Sequence, residues 1–244
     1  MKTAVRLDKF LADAGAGTRS EVKKYIKRGL VQVNGITVKS PEQKIEAGKD
    51  QVVFLDKPVE AAAEFEYFLL HKPAGCVSAT EDEKEKTVME YVPSSRKGLF
   101  PVGRLDKDTE GLLLITDDGA LAHRLLSPRH HVEKTYFAKV EGIVSAQDEK
   151  AIAEGVDIGD EKPALPGKLK ILKADEKEGT SEVLLTICEG RFHQVKRMMK
   201  AVGKQVYYLK RISMGPLVLP DDLKKGECRP LTVKEIEELQ ALGR

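Results

Sequence analysis

The chain has no tryptophan, 5% aromatic residues and three cysteines, Cys76, Cys188 and Cys228, which are widely spaced and in no paired motif. That pattern excludes a disulfide framework and a zinc knuckle, and it fits thiols that are small buried hydrophobes in a reducing compartment. No apolar run is long enough to span a membrane, and the opening Met-Lys-Thr-Ala-Val-Arg-Leu-Asp lacks an apolar signal core. Cytoplasmic residence, away from membranes, is the expectation. His123, His130, His131 and His193 have no Cys-x-x-Cys or His-x-Glu companion, so no metal is expected. What is present is ordinary soluble composition: 244 residues, 41% hydrophobic and 33% charged, enough for one large or two modest domains with real cores.

A large net charge is also missing, since the total is +2, but the distribution is uneven. Residues 1 to 58 hold twelve Lys/Arg against seven Asp/Glu, a net +5, which leaves −3 for the remainder. A second concentration runs from Arg191 to Arg211, with Lys196, Arg197, Lys200, Lys204 and Lys210 between and no acidic residue. Either patch alone is more often a solvated face. Two in one nearly neutral chain point to a phosphate polyanion, because neutralising several phosphates releases counterions.

Near the start, Leu7, Phe10, Leu11 and Ala14 recur at helical spacing. A second helix follows, with Thr18 and Glu21 in capping-box positions, Val22, Tyr25 and Ile26 turned inward, and Gly29 ending it. Arg19, Lys23 and Lys27 form an exposed stripe flanked by Lys24 and Arg28. Residues 31 to 38 read as a hairpin about Asn34-Gly35, and a strand closes the unit at 51 to 55. Residues 5 to 55 resemble the S4 domain, a small RNA-binding module, which makes the five basic residues of the stripe candidate RNA contacts.

The proline and alanines of 58 to 63 read as a connector, giving a first domain at 1–58, a linker at 59–65 and a second domain at 66–244. In the second domain, strands are expected near 66–71, 111–116, 133–142, 182–188 and 205–212. Helices are expected near 119–126, 146–154, 191–202 and 232–241. Strict βαβ alternation is absent, so the fold class is α+β, a mainly antiparallel mixed sheet flanked by helices. Glu81 to Lys86 reads as a mobile charged loop.

The most informative segment is 103 to 119, where glycines at 103 and 111 bound a turn that carries Arg104 and Asp106 and feeds the apolar run Leu112 to Ile115. An aspartate in a turn usually caps the next backbone amides. That plain reading serves for Asp108 and Asp117. Asp106 departs from it only through its company. In the helix after Arg191, Val195, Met198, Met199 and Val202 share one face, and His193, Lys196, Arg197 and Lys200 share the opposite arc as a continuous basic surface.

Three ordered segments carry a resemblance: Lys72 to Gly75, Gly103 to Gly111, and Glu189 to Met198. They look like the motifs of the RsuA/RluB/E/F-type pseudouridine synthases, and with the leading S4 unit the likeness covers nearly the whole chain. Residues 127–136 and 226–232 look closest to the RsuA branch, which acts on small-subunit (16S) ribosomal RNA; the charged loop at 81–86 departs from that branch. The resemblance implies Asp106 as the catalytic aspartate, Tyr136 as the active-site tyrosine and Lys196 as the basic partner of Asp106. It also implies Ile187 packing on the target base and Arg104 near the displaced nucleotide. Arg191, His193, Gln194 and Arg197 join them as candidate substrate contacts.

Moving a glycosyl bond from N1 to C5 of uracil needs no redox step and no cofactor. The carboxylate can attack C6 of the base or C1′ of the sugar, or assist removal of a sugar proton. The target must first leave its stack. For Tyr136 the plain alternative is a core tyrosine, because Tyr136, Ala138 and Val140 alternate on one strand face. The implied partner is ribosomal RNA or a partly assembled small subunit, bound by a monomer. The competing class is a non-catalytic RNA-binding assembly factor. A glycosidase using Asp106 and Asp108 ranks below both, since basic surroundings favour a polyanion.

Overall fold

The structure is a computed structural model that describes residues 4–60 and 64–242. The chain divides into two compact units, residues 1–64 and 65–244.

In the smaller unit, β1 (Val5–Arg6) leads into α1 (Leu7–Asp13) and α2 (Arg19–Lys27). Then come β2 (Val31–Val33), β3 (Ile36–Thr37), β4 (Lys44–Ile45), β5 (Val52–Phe54) and β6 (Lys57–Val59). The expected capping box starts α2: the Thr18 amide donates to Glu21 Oε2 at 2.8 Å and the Glu21 amide donates to Thr18 Oγ1 at 3.4 Å. Asn34 and Gly35 both have positive φ, 52° and 79°, as a type I′ hairpin turn requires. Leu7, Leu11, Val22, Ile26 and Val31 are fully buried between the helices and a sheet ordered β3-β2-β5-β6. Each such burial contributes roughly 1.5–3 kcal/mol.

The connector read at 59–65 is shorter than the sequence suggested. Val59 still pairs with Val52 in β6, and Phe65 already packs on the core of the larger unit; 61–63 lie outside the described residues. Pro58 misled because β6 is an edge strand, where a residue without an N–H is tolerated.

The larger unit comprises β7 (Tyr67–Lys72), β8 (Phe100–Pro101), β9 (Glu110–Thr116), α3 (Gly119–Leu126), β10 (Lys134–Glu141), α4 (Ala146–Glu154) and β11 (Lys168–Asp175). It continues with β12 (Thr180–Ile187), α5 (Gln194–Ala201), β13 (Gln205–Met214), β14 (Leu217–Val218), β15 (Cys228–Pro230) and α6 (Val233–Ala241). One sheet runs β11-β12-β10-β13-β9-β7-β15, with β14 on β13 and β8 on β9. Among the described residues, every strand pairing in this sheet is antiparallel except β13 with β9. This is the α+β class expected.

β9 explains the apolar run: Leu113 and Ile115 enter a core with α4 and α5, while Leu112 and Leu114 enter a second core with α3 and α6. A strand buried on both faces is continuously apolar. At the parallel junction a Cβ on Gly111, whose φ is +109°, would lie 2.2 Å from the Arg211 carbonyl oxygen. Only glycine lets β13 approach there. β11, unforeseen, is an edge strand with one lightly buried face; its Lys168-Leu169-Lys170-Ile171 alternation was the available signal.

Candidate active site

Asp106 precedes β9 in a loop that is held from behind. Lys72, 0% exposed at the end of β7, donates its ammonium to the carbonyls of Pro73 and Asp106 at 3.0 Å, Thr109 at 2.9 Å and Lys107 at 3.4 Å. Burial holds the Lys72 pKa below the usual lysine value, against the pull of Asp108 and Asp106 nearby. Ser78 Oγ donates to the Leu105 carbonyl at 2.9 Å and accepts from the Leu105 amide at 3.0 Å. The Gly75 amide donates to the Lys107 carbonyl at 2.7 Å. Residues 72–78 thus clamp residues 105–109, a role that sequence reasoning did not assign. The charged stretch 81–86 is a turn on Asp82, whose carboxylate accepts the Lys84 and Glu85 amides, and Lys107 reaches Glu85 at 2.7 Å.

Opposite the loop, α5 begins at Gln194 rather than 191, because His193 takes a left-handed conformation at its N-terminus. Lys196 Nζ lies 3.2 Å from Asp106 Oδ2, and His193 Nε2 lies 3.5 Å from Asp106 Oδ1. Lys196 also donates to both oxygens of Asp108, at 2.7 and 2.9 Å. Burial would lower the Lys196 pKa, but the two carboxylates outweigh it and raise it above the lysine norm. Burial likewise opposes ionisation of Asp108, and the Lys196 hydrogen bond overcomes it. The lysine therefore stays cationic between two anions.

Asp106 lines both a small inner pocket and a larger outer cavity. Tyr136, Ile187, Val195 and Leu209 give the inner pocket apolar walls. Tyr136 shares its strand face with buried Ala138 and Val140, as the plain reading held, yet it also lines this pocket. Its hydroxyl has no hydrogen-bond partner among the described residues. Arg104 is exposed and lines both spaces, without a carboxylate partner among the described residues. The outer cavity, about 590 Å³, also meets Lys107, Lys134, Phe192 and His193.

A family model for RNA pseudouridylate synthase matches residues 66–201, and an S4 domain model matches residues 5–52. The chain belongs to the RNA pseudouridylate synthase family. Ribosomal small subunit pseudouridine synthase A of Haemophilus influenzae is 43% identical over 237 residues, spanning 96% of this chain and 99% of that protein. Ribosomal large subunit pseudouridine synthase B of Bacillus subtilis is 41% identical over 239 residues, spanning 98% and 96%. A crystal structure of pseudouridylate synthase aligns with a TM-score of 0.66 at 42% identity, covering 96% of this chain and 99% of that one.

In this pseudouridine synthase, Arg104, Asp106, Tyr136, Ile187, Arg191, His193 and Gln194 line the inner pocket, and Lys196 reaches Asp106. The continuous basic face expected on α5 is not formed, because acids and carbonyls occupy much of it. Arg197, turned onto the Ile158 and Phe192 carbonyls and Asp160, lines neither space. Arg191 binds Glu189, Asp160 and the carbonyls of Lys162 and Pro163. Gln194 is 4% exposed; its amide links the Arg191 backbone to Glu189. These three read better as supports of the pocket wall than as free substrate donors.

In the S4 unit, Asp8, 0% exposed, receives Arg6 at 2.9 Å, Arg19 at 3.4 Å and Lys23 at 3.8 Å. The Arg6 hydrogen bond outweighs burial and carries the Asp8 pKa down to about 2. Arg19 and Lys23 are therefore partly neutralised, while Lys24, Lys27 and Arg28 remain exposed. No local pattern signals that Asp8 faces the stripe.

Proposed function

We propose that this enzyme isomerises a uridine of small-subunit (16S) ribosomal RNA, with Asp106 as the reacting carboxylate. The observation that carries the reading is an acid 27% exposed and 3.2 Å from a cationic lysine, at the mouth of a pocket walled by Tyr136, Ile187 and Leu209. A flipped uracil fits such a slot, and extrusion costs a few kcal/mol that stacking and phosphate contacts offset. Lys196, 3.2 Å away, holds the Asp106 carboxylate at the pocket mouth for any of the three routes open to it. The N1–C1′ bond breaks, the uracil turns, and C1′ bonds to C5; C5 loses its proton and N1 ends with one. In this reading the Tyr136 hydroxyl handles the C5 proton, and Arg104 fills the space the nucleotide leaves, since a guanidinium stacks and donates together.

The S4 unit supplies a second grip on the same RNA through Lys24, Lys27 and Arg28. The binding partner is ribosomal RNA, free or in a partly assembled small subunit, met by a cytoplasmic monomer. Release of tritium from C5-labelled uridine in small- and large-subunit ribosomal RNA tests the reading. Wild type is expected to release it from the small-subunit RNA, and Asp106→Asn to release none while binding equally. Tight binding without release from either RNA favours the assembly-factor reading; release from the large-subunit RNA alone moves the target.

A further inference from the structure

The outer cavity contains a cation that the chemistry at Asp106 does not use. Lys134, 5% exposed, lines it from the start of β10, on the same strand face as Tyr136. Two residues along a strand separate them by about 7 Å, comparable with the reach from a nucleobase to a phosphate of its own nucleotide. An ammonium has three donors, and Lys134 gives one to the Val132 carbonyl at 3.0 Å. No carboxylate pairs with it among the described residues. Its charged neighbour is Arg211 of β13, 2% exposed, which donates Nε to the Leu112 carbonyl at 2.8 Å. Among the described residues the buried Arg211 Nη2 atom has no hydrogen-bond partner.

Two buried cations near enough to repel, neither paired with a carboxylate among the described residues, are unfavourable in the free protein. Burial, then repulsion from Arg211, bring the Lys134 pKa down to about 8, with the Cys188 thiol opposing weakly. Arg104, Lys107, Arg191 and His193 also line the cavity; Lys107 is paired with Glu85, and Arg191 with Glu189 and Asp160. Among the described residues the one carboxylate in the lining is Asp106, which is engaged by Lys196 and His193. A volume of about 590 Å³ is in the range that holds a sizeable ligand.

We propose that Lys134, backed by Arg211, forms a phosphate subsite in the outer cavity for the RNA backbone phosphate adjoining the nucleotide flipped into the inner pocket. This rests on RNA being the substrate. The phosphate supplies the negative charge the pair lacks, so a burial that is costly in the free enzyme becomes a charge-assisted contact in the complex.

The test uses the full chain carrying Asp106→Asn, to block turnover, and in-vitro-transcribed small-subunit ribosomal RNA. Lys134→Met should weaken binding roughly tenfold at neutral pH, as loss of one charge-assisted bond would. It should also flatten the slope of log Kd against log salt by about 0.7, the value for one single-strand phosphate. The melting temperature of the free variant should not fall, since an apolar isostere removes an unpaired buried charge. Lys134→Arg should keep the slope. Between pH 7 and 9 the affinity of the parent should fall more than that of either variant, because Lys134 loses its charge through this window. An unchanged slope and pH response in Lys134→Met overturns the proposal, and so does a lowered melting temperature with an unchanged slope, which marks Lys134 as a prop for Val132. Tritium release by the wild type on the same RNA reports separately on the substrate reading.

Discussion

Replacing Lys72 by methionine isolates the clamp behind the Asp106 loop. The side chain is fully buried, so it touches no RNA, yet three of its four carbonyl bonds are 3.0 Å or shorter. Hydrogen bonds from a charged donor contribute roughly 1.5–3 kcal/mol each, and desolvation of the ammonium offsets several kcal/mol of that sum. A net loss of about 2–4 kcal/mol follows, or a fall in melting temperature on the order of 4–16 °C at roughly 2–4 °C per kcal/mol for a unit of this size. The larger consequence is positional. The carbonyls that Lys72 gathers belong to residues 106, 107 and 109, so their release lets the Asp106 carboxylate drift, and a misplacement near 1 Å costs about 100-fold in rate. Single-turnover tritium release from labelled ribosomal RNA, beside filter binding of the same RNA, measures both quantities. Slower release at unchanged affinity is expected from a folded Lys72→Met. A rate within threefold of wild type, or affinity falling in step with rate, refutes the reasoning.

Lys196→Ala should fold normally and lose single-turnover activity, because it leaves Asp106 and Asp108 facing each other without a cation; near-normal release would reject that partnership. Neutralising Lys24 and Lys27 together should reduce the salt slope of RNA binding by about 0.7 for each phosphate lost and harm the chemical step less; a constant slope would take these residues out of the interface. Asp8, its pKa near 2 against a usual 3.8, contributes stability that is present above about pH 4 and is lost as pH falls toward 2. The stability gap between wild type and Asp8→Asn, followed by denaturant unfolding, should narrow across that window. A gap independent of pH would show that the carboxylate charge is not what holds Arg6 and Arg19.

Much of the fold was legible because local periodicity reports which face of an element is buried. The S4 helices, the Asn34-Gly35 turn and the long strands β9, β10, β12 and β13 were visible in this way, and so were α3, α4 and α6. Short or one-sided elements were not. β8, β14 and β15 have two or three residues each, too few for a period to register, and β11 pairs along only one edge. α5 was placed three residues early because nothing in Arg191-Phe192-His193 announces a left-handed backbone.

The amino-acid order by itself determined two domains, an α+β class, and a glycine-bounded aspartate followed by an apolar strand, since each depends on near neighbours in the chain. Tertiary structure alone decided how charges are matched. It placed Lys196 between Asp106 and Asp108, set Lys72 beneath the loop, turned Arg197 onto Asp160 and left Lys134 beside Arg211 without an acid. Those partners are far apart in sequence, and an ion pair acts over a few ångströms. Which charges meet is therefore fixed by the pairing of β13 with β9 and β10 and by the seating of α5, which no local pattern encodes.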